Sequence, residues 1–163
     1  MFNGAPPDIV VADTREHEIA RVHQWLTDRA NDGVAPHECG VFVRTVTEME
    51  RARSAVQQAG LSVTVLDDRV ASTRGHVAVS TMHLAKGLEF RAVVVMACDD
   101  EVIPSQERIE TVGDDTDLEE VYNTERHLLY VACTRARDYL LVTGVTPASE
   151  FLDDLRMEHT AKT

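Results

Sequence analysis

Four short runs in this chain, GVFV (40–43), VAVS (77–80), AVVVMA (92–97) and YLLV (139–142), are apolar or small with almost no alternation. A strand with one face in water alternates apolar and polar residues. Uniform runs of this length are read instead as strands covered on both faces. Between them lie stretches with helical spacing. Thr14 is placed to cap a helix carrying Ile19, Ala20, Val22, His23, Leu26 and Ala30, which ends near Asn31-Asp32-Gly33. Further helices are expected over 47–59, stopping at Gly60, over 118–135 and over 149–155. Strands are expected at 7–13, 39–44, 61–66, 76–81, 91–97 and 138–144. Strands alternating with helices imply an α/β fold, a mostly parallel sheet with helices on both faces.

A length of 163 residues suits a single domain, 1–163, with its core at about 7–155. The segment 98–117 reads as an acidic surface loop and 156–163 as a disordered tail. No apolar run reaches the roughly 20 residues of a membrane span, and no signal core opens the chain, so a cytoplasmic protein is expected. Cys39, Cys98 and Cys133 are widely spaced and odd in number, which fits buried thiols and neither a zinc site nor a disulfide frame. Sixteen basic against 28 acidic residues give a net charge of −12, the wrong sign for an autonomous nucleic-acid binder. Any contact with a strand has to come from a local patch.

Ligands of parallel sheets gather at the carboxyl ends of strands, and two such exits are rich in chemistry. After VAVST come Thr81, His83, Lys86, Gly87 and Glu89 within nine residues. Thr81, His83 and Lys86 are donors suited to phosphate oxygens. Gly87 permits a tight turn, and Glu89 is an acceptor of the kind that holds ribose hydroxyls. Fourteen of the 16 basic residues are Arg, and Lys86 is the one lysine away from the C-terminus, which adds weight to this cluster. The second exit, VVVMACDDE (93–101), resembles a strand presenting a Mg²⁺-binding Asp in nucleoside triphosphatases, yet the G-x-x-x-x-G-K-[ST] loop that would accompany it is absent. A solvated turn is the simpler reading of Asp99, Asp100 and Glu101.

Three segments together resemble the second RecA-like motor domain of UvrD/Rep-type superfamily 1 helicases. VAVSTMHLAKGLEFRAVVV (77–95) is similar to the family's motif V, with its T-x-H-x-A/S-K-G-L-E-F core. ERHLLYVACTRARDYLLV (125–142) is similar to motif VI, whose signature ends in T-R-A. ECGVFVRTVTEMERARSAVQQAGLSVTVL (38–66) resembles the segment preceding motif V, with Arg44 at its strand exit. The resemblance implies a RecA-like, P-loop NTPase-like fold. Arg135 would be the arginine finger that reaches the γ-phosphate of ATP from across a domain cleft, buttressed by Tyr130 and Thr134. Gly87 and Glu89 would shape and make the ribose contact. Thr81, His83, Lys86 and Arg44 would face a single-stranded DNA track. From its spacing, Arg137, two positions beyond Arg135, is expected to point elsewhere as surface charge.

The resemblance also implies partners: an N-terminal RecA-like domain of the same polypeptide, single-stranded DNA bound weakly by this domain alone, ATP, and Mg²⁺ held mainly by the N-terminal domain. No residue here is expected to bind a metal. About ten residues join Leu66 to the motif V strand, so the inserted subdomain many members carry there is not expected. The phosphate-binding loop and the motif that opens the second motor domain are not in the sequence, and Glu101 precedes Val102-Ile103-Pro104 where the family commonly turns on Gly. An excised helicase domain, inactive alone, is the expectation. Two other classes stay open: an interaction module that kept the fold and lost the motor, and a metal-dependent nuclease centred on Asp99.

Overall fold

A computed structural model describes residues 7–67 and 73–162, with side chains to Arg156. Six strands form one sheet: β1 (Asp8–Ala12), β2 (Cys39–Val43), β3 (Ser62–Val65), β4 (His76–Thr81), β5 (Phe90–Val95) and β6 (Ala136–Val145). Their order is β1-β6-β5-β2-β4-β3, and every pairing is parallel. The residue pattern explains the order. β2, uniformly apolar, is buried at all five positions between β4 and β5, whereas β1 and β3, which contain Asp8 and Ser62, are the partly exposed edges.

Helices cover both faces. α1 (Arg15–Asn31) and α2 (Met49–Gln58) pack Val22, Trp25, Leu26, Met49, Ala52, Ala55 and Val56 against one face of the sheet. On the other side lie the short α3 (Gln106–Glu110), α4 (Asp115–Cys133) and α5 (Phe151–Lys162), with Leu129, Ala132, Cys133, Phe151 and Leu152 of α4 and α5 in the core. α1 and α4 each start where a side chain can take up a free N–H. The Thr14 hydroxyl accepts from His17 N at 3.0 Å, and the Asp114 carboxylate accepts from Asp117 N at 2.8 Å. At the sheet centre Gly40 leaves room for the Phe90 ring; a Cβ there would lie 2.7 Å from a ring carbon.

The expected α/β sheet and its element order are present, and all three cysteines are buried thiols outside any disulfide. Burial pushes the Cys39 thiol up to about 12. Of the boundaries that differ from expectation, three matter here. The 98–117 stretch is not a plain surface loop: it carries α3, and Cys98 and Ile103 are fully buried. The expected tail at 156–163 continues α5 as far as Lys162. β6 begins two residues early, at Ala136, because Phe90 N donates to Arg135 O at 2.9 Å and draws the chain into the sheet.

Candidate functional site

Parallel register divides the candidate residues between opposite ends of the sheet. Val43 pairs with Thr81 at the carboxyl ends of β2 and β4, so Arg44, Thr81 and His83 gather there. Phe90 pairs with Ala136 at the amino ends of β5 and β6, so Glu89 and Arg135 meet at the other end. The short link after Thr81, a 3₁₀ turn at Met82–Leu84 followed by Ala85 to Glu89, carries the chain back along the sheet, with Lys86 on the return. β5 alone spans roughly 20 Å at about 3.3 Å per residue. The expectation that one strand exit gathers Thr81 to Glu89 is therefore corrected. The loaded segment serves two places because it connects them.

At the amino end, Leu88, Glu89, Thr134, Arg135, Ala136 and Arg137 line a hollow of about 170 Å³. Gly87 turns the chain into it at φ +86°, a left-handed conformation. A Cβ on Gly87 would meet nothing within 4 Å, so backbone freedom and not crowding selects glycine. Glu89 is exposed. Arg135 is half-buried and folded back on the end of α4: Nε donates to Val131 O at 3.1 Å and Nη2 to Thr134 Oγ1 at 3.1 Å. Nη1 reaches toward Leu88 O at 3.4 Å. A guanidinium over the carbonyl end of a helix is favourably placed. These contacts are to backbone carbonyls and one hydroxyl, with no carboxylate among them, so a phosphate could compete for the cation. Arg137, read as surface charge turned elsewhere, is exposed but lines the same hollow. Its Nη2 donates to Asp138 at 3.3 Å, and Arg91 Nε holds the same carboxylate at 3.0 Å.

At the carboxyl end the arrangement is different in kind. Arg44 is 4% exposed. Its Nε and Nη2 donate to the two oxygens of Glu125 at 2.9 and 2.7 Å, and Nη1 lies 3.0 Å from His83 Nε2. Glu125, fully buried on α4, also accepts from Ser105 N at 2.6 Å and from Arg108 Nη1 at 2.8 Å. Burial alone would push the Glu125 carboxyl up; the Arg44 hydrogen bonds, the Ser105 N–H and Arg108 outweigh it and hold the group below the usual carboxylate range. Arg44 is thus committed inward, while His83 and Lys86 are exposed and Thr81 is half-buried. Sequence reasoning missed Glu125 because an acid in a polar helix turn looks solvated; the one available signal was its place on the face that also carries Leu129 and Ala132.

Asp99 belongs to a second internal network. The fully buried Glu18 accepts from Arg51 Nη1 at 3.0 Å, from Thr143 Oγ1 at 2.8 Å and from Ala97 N at 3.0 Å. Arg51 Nη1 also donates to Asp99 at 3.0 Å, and Val145 N donates to the same carboxylate at 2.7 Å. Asp99 therefore binds the chain to itself, which corrects the solvated-turn reading of that residue. Among the described residues no group of three or more His, Cys, Asp or Glu could hold a metal ion. Among them, too, no helix is long and apolar enough to cross a membrane.

The family model for the UvrD-like helicase C-terminal domain matches residues 54–146, more than half of the chain. An ATP-dependent DNA helicase PcrA of Staphylococcus epidermidis is 40% identical over 82 residues, covering 50% of this chain and 11% of that protein. An ATP-dependent DNA helicase UvrD1 of Mycobacterium leprae is 28% identical over 146 residues, covering 90% of this chain and 18% of that protein. The chain thus spans less than a fifth of the length of these relatives. A crystal structure of the C-terminal domain of a possible DNA helicase from Lactobacillus plantarum superposes with a TM-score of 0.69 at 25% identity, over 96% of this chain and 84% of that one.

Proposed function

This chain belongs to the UvrD-like helicase C-terminal domain family, and from that premise we propose that it is the second RecA-like motor domain of a cytoplasmic ATP-dependent DNA helicase, inactive until paired with an N-terminal motor domain. The single observation that carries the residue assignment is the hollow at the amino ends of β5 and β6, where Glu89, Arg135 and the turn at Gly87 converge. In this reading Glu89 accepts from the ribose hydroxyls of ATP bound by the N-terminal domain. Arg135 leaves its resting contacts with Val131 and Thr134 and donates to the γ-phosphate oxygens as charge develops on them. Its planar, permanently charged fork suits the equatorial oxygens of a transferring phosphoryl group. Mg²⁺ is assigned to the N-terminal domain, since no suitable ligand group lies among the described residues here.

At the carboxyl ends, Thr81 and His83 face the single-stranded DNA, with Lys86 on the return link, and Arg44 acts from behind them. A net charge of −12 opposes long-range attraction of a strand, so binding by this domain alone is weak, with Kd at about 10⁻⁴ M or above. The test is DNA-stimulated ATPase. The isolated chain should show none, and in a helicase assembled with its N-terminal domain Arg135→Ala should cut turnover by about 10³-fold. Turnover by the isolated chain that is indifferent to Arg135 would overturn the reading.

A further inference from the structure

The carboxyl-end cluster contains more order than a phosphate contact needs, and that order converges on one atom of His83. Glu125 offers four acceptor sites on its two oxygens, and four donors fill them: Arg44 Nε and Ser105 N on one, Arg44 Nη2 and Arg108 Nη1 on the other. A two-pronged pair of this kind fixes the guanidinium plane of Arg44. Its remaining edge, Nη1, lies 3.0 Å from His83 Nε2. A guanidinium has no acceptor, so a hydrogen bond there requires a lone pair on Nε2. The imidazole is then neutral and carries its proton on Nδ1.

Resting on the strand-track reading above, we propose that Arg44 and Glu125 are positioning residues that hold His83 in its Nδ1–H form and present that N–H to a phosphate oxygen of the bound single strand. The buried pair stays dry and supplies direction, and the exposed imidazole makes the contact. This accounts for an arginine at the strand exit that is almost wholly buried, and for a buried acid on a helix whose neighbouring turn, Asn123 and Thr124, is exposed. His83 adds a donor of fixed direction.

The experiment uses the isolated chain. Long-range ¹H–¹⁵N spectra at mildly alkaline pH should show the His83 proton on Nδ1. In Arg44→Lys, which keeps the charge but lacks the fork, the two tautomers should mix. In titrations with a short oligodeoxythymidylate, His83→Asn, whose amide can present a donor near Nδ1, should keep most of the binding. His83→Gln, whose amide reaches toward Nε2, should weaken it by about tenfold, the scale of one hydrogen bond to a charged group. A wild-type spectrum with the proton on Nε2 overturns the inference while leaving the strand track standing, and so does Gln outperforming Asn. Normal His83 tautomer with no shift changes at residues 81–86 on adding the oligonucleotide overturns the strand-track reading and the donor role with it.

Discussion

Replacing Glu125 by Gln should unfold this domain more readily than the loss of one charge suggests. The carboxylate accepts four hydrogen bonds, two per oxygen, and is fully buried. A glutamine keeps one oxygen and turns the other into an NH₂ group. Whichever way the amide is set, two N–H donors then face two more, and Arg44 keeps a buried charge with no counter-ion. Breaking a buried ion pair from one side costs about 3–5 kcal/mol. The Arg108 share is small, because its side chain is 39% exposed and screened by water. A domain of this size has roughly 5–15 kcal/mol in hand, and each kcal/mol moves its melting temperature by about 2–4 °C. Glu125→Gln should therefore lower Tm by about 10 °C at neutral pH.

Acid supplies the companion measurement. The folded carboxyl lies below its unfolded value, held there against burial by Arg44, Ser105 and Arg108. Its stabilisation is complete above the unfolded pKa of about 4.3 and is lost as the pH falls through the lower, folded one. Wild-type protein should lose stability over that acid window, and Glu125→Gln should lose less of it, so the two denaturation midpoints should converge as the pH drops. The assay is urea unfolding followed by circular dichroism across pH 7 to about pH 3. A Glu125→Gln protein within about 1 kcal/mol of wild type at pH 7, or a constant gap between the two at every pH, would refute the view that this carboxylate is ionised and saturated.

Other outcomes follow from single contacts. Gly144→Ala should cost several kcal/mol by the same urea assay, because its Cβ would lie 2.5 Å from the Cys98 carbonyl oxygen, a backbone atom that cannot step aside. Ala97 sits at φ 61°, where a Cβ is disfavoured by about 1–2 kcal/mol; Ala97→Gly should raise stability by up to about 1 kcal/mol once the added freedom of the unfolded glycine is subtracted. Gly87→Ala should strain a turn at φ +86° without a clash, so thermal melts should show a loss of about 1 kcal/mol while the resonances of Glu89 and Arg135 move most. Arg135→Ala should leave the isolated domain folded in thermal melts, since its guanidinium contacts are with backbone carbonyls and one exposed hydroxyl.

The strands were legible because burial on both faces leaves a mark that needs no partner to be seen: VVV at 93–95 is apolar whichever neighbour it acquires. Thr14 could be read as a cap for the same reason, since capping is settled within three residues. What could not be read was decided at distance. Glu18, Arg51 and Glu125 look like ordinary charges of polar helices, yet each is buried against a partner far along the chain: Arg51 is 33 and Thr143 125 residues from Glu18, and Arg44 is 81 from Glu125. Arg137, expected to point away from Arg135, is exposed but lines the same hollow at 88–89 and 134–137. Residues two apart along an extended chain share a side, so the spacing itself places the two arginines together.

The same long-range pairing divides the arginines by what holds them. Of the arginines in the two networks, Arg44 and Arg51 are consumed by buried carboxylates, so their charge is cancelled inside the protein. Arg135, by contrast, is held by neutral oxygens. A guanidinium bound to carbonyls can be drawn away by a phosphate at the cost of about one or two neutral hydrogen bonds, each of which contributes roughly 1 kcal/mol. One bound to a buried carboxylate could leave only by stranding an ion, at several times that cost. Under the proposed function, that difference in partner is what would let Arg135 move while Arg44 and Arg51 stay. It also follows that α4 has one fixed point and one free end. Glu125 anchors it beside Arg44 and His83, and just past its last turn Arg135 reaches the hollow at the opposite end of the sheet.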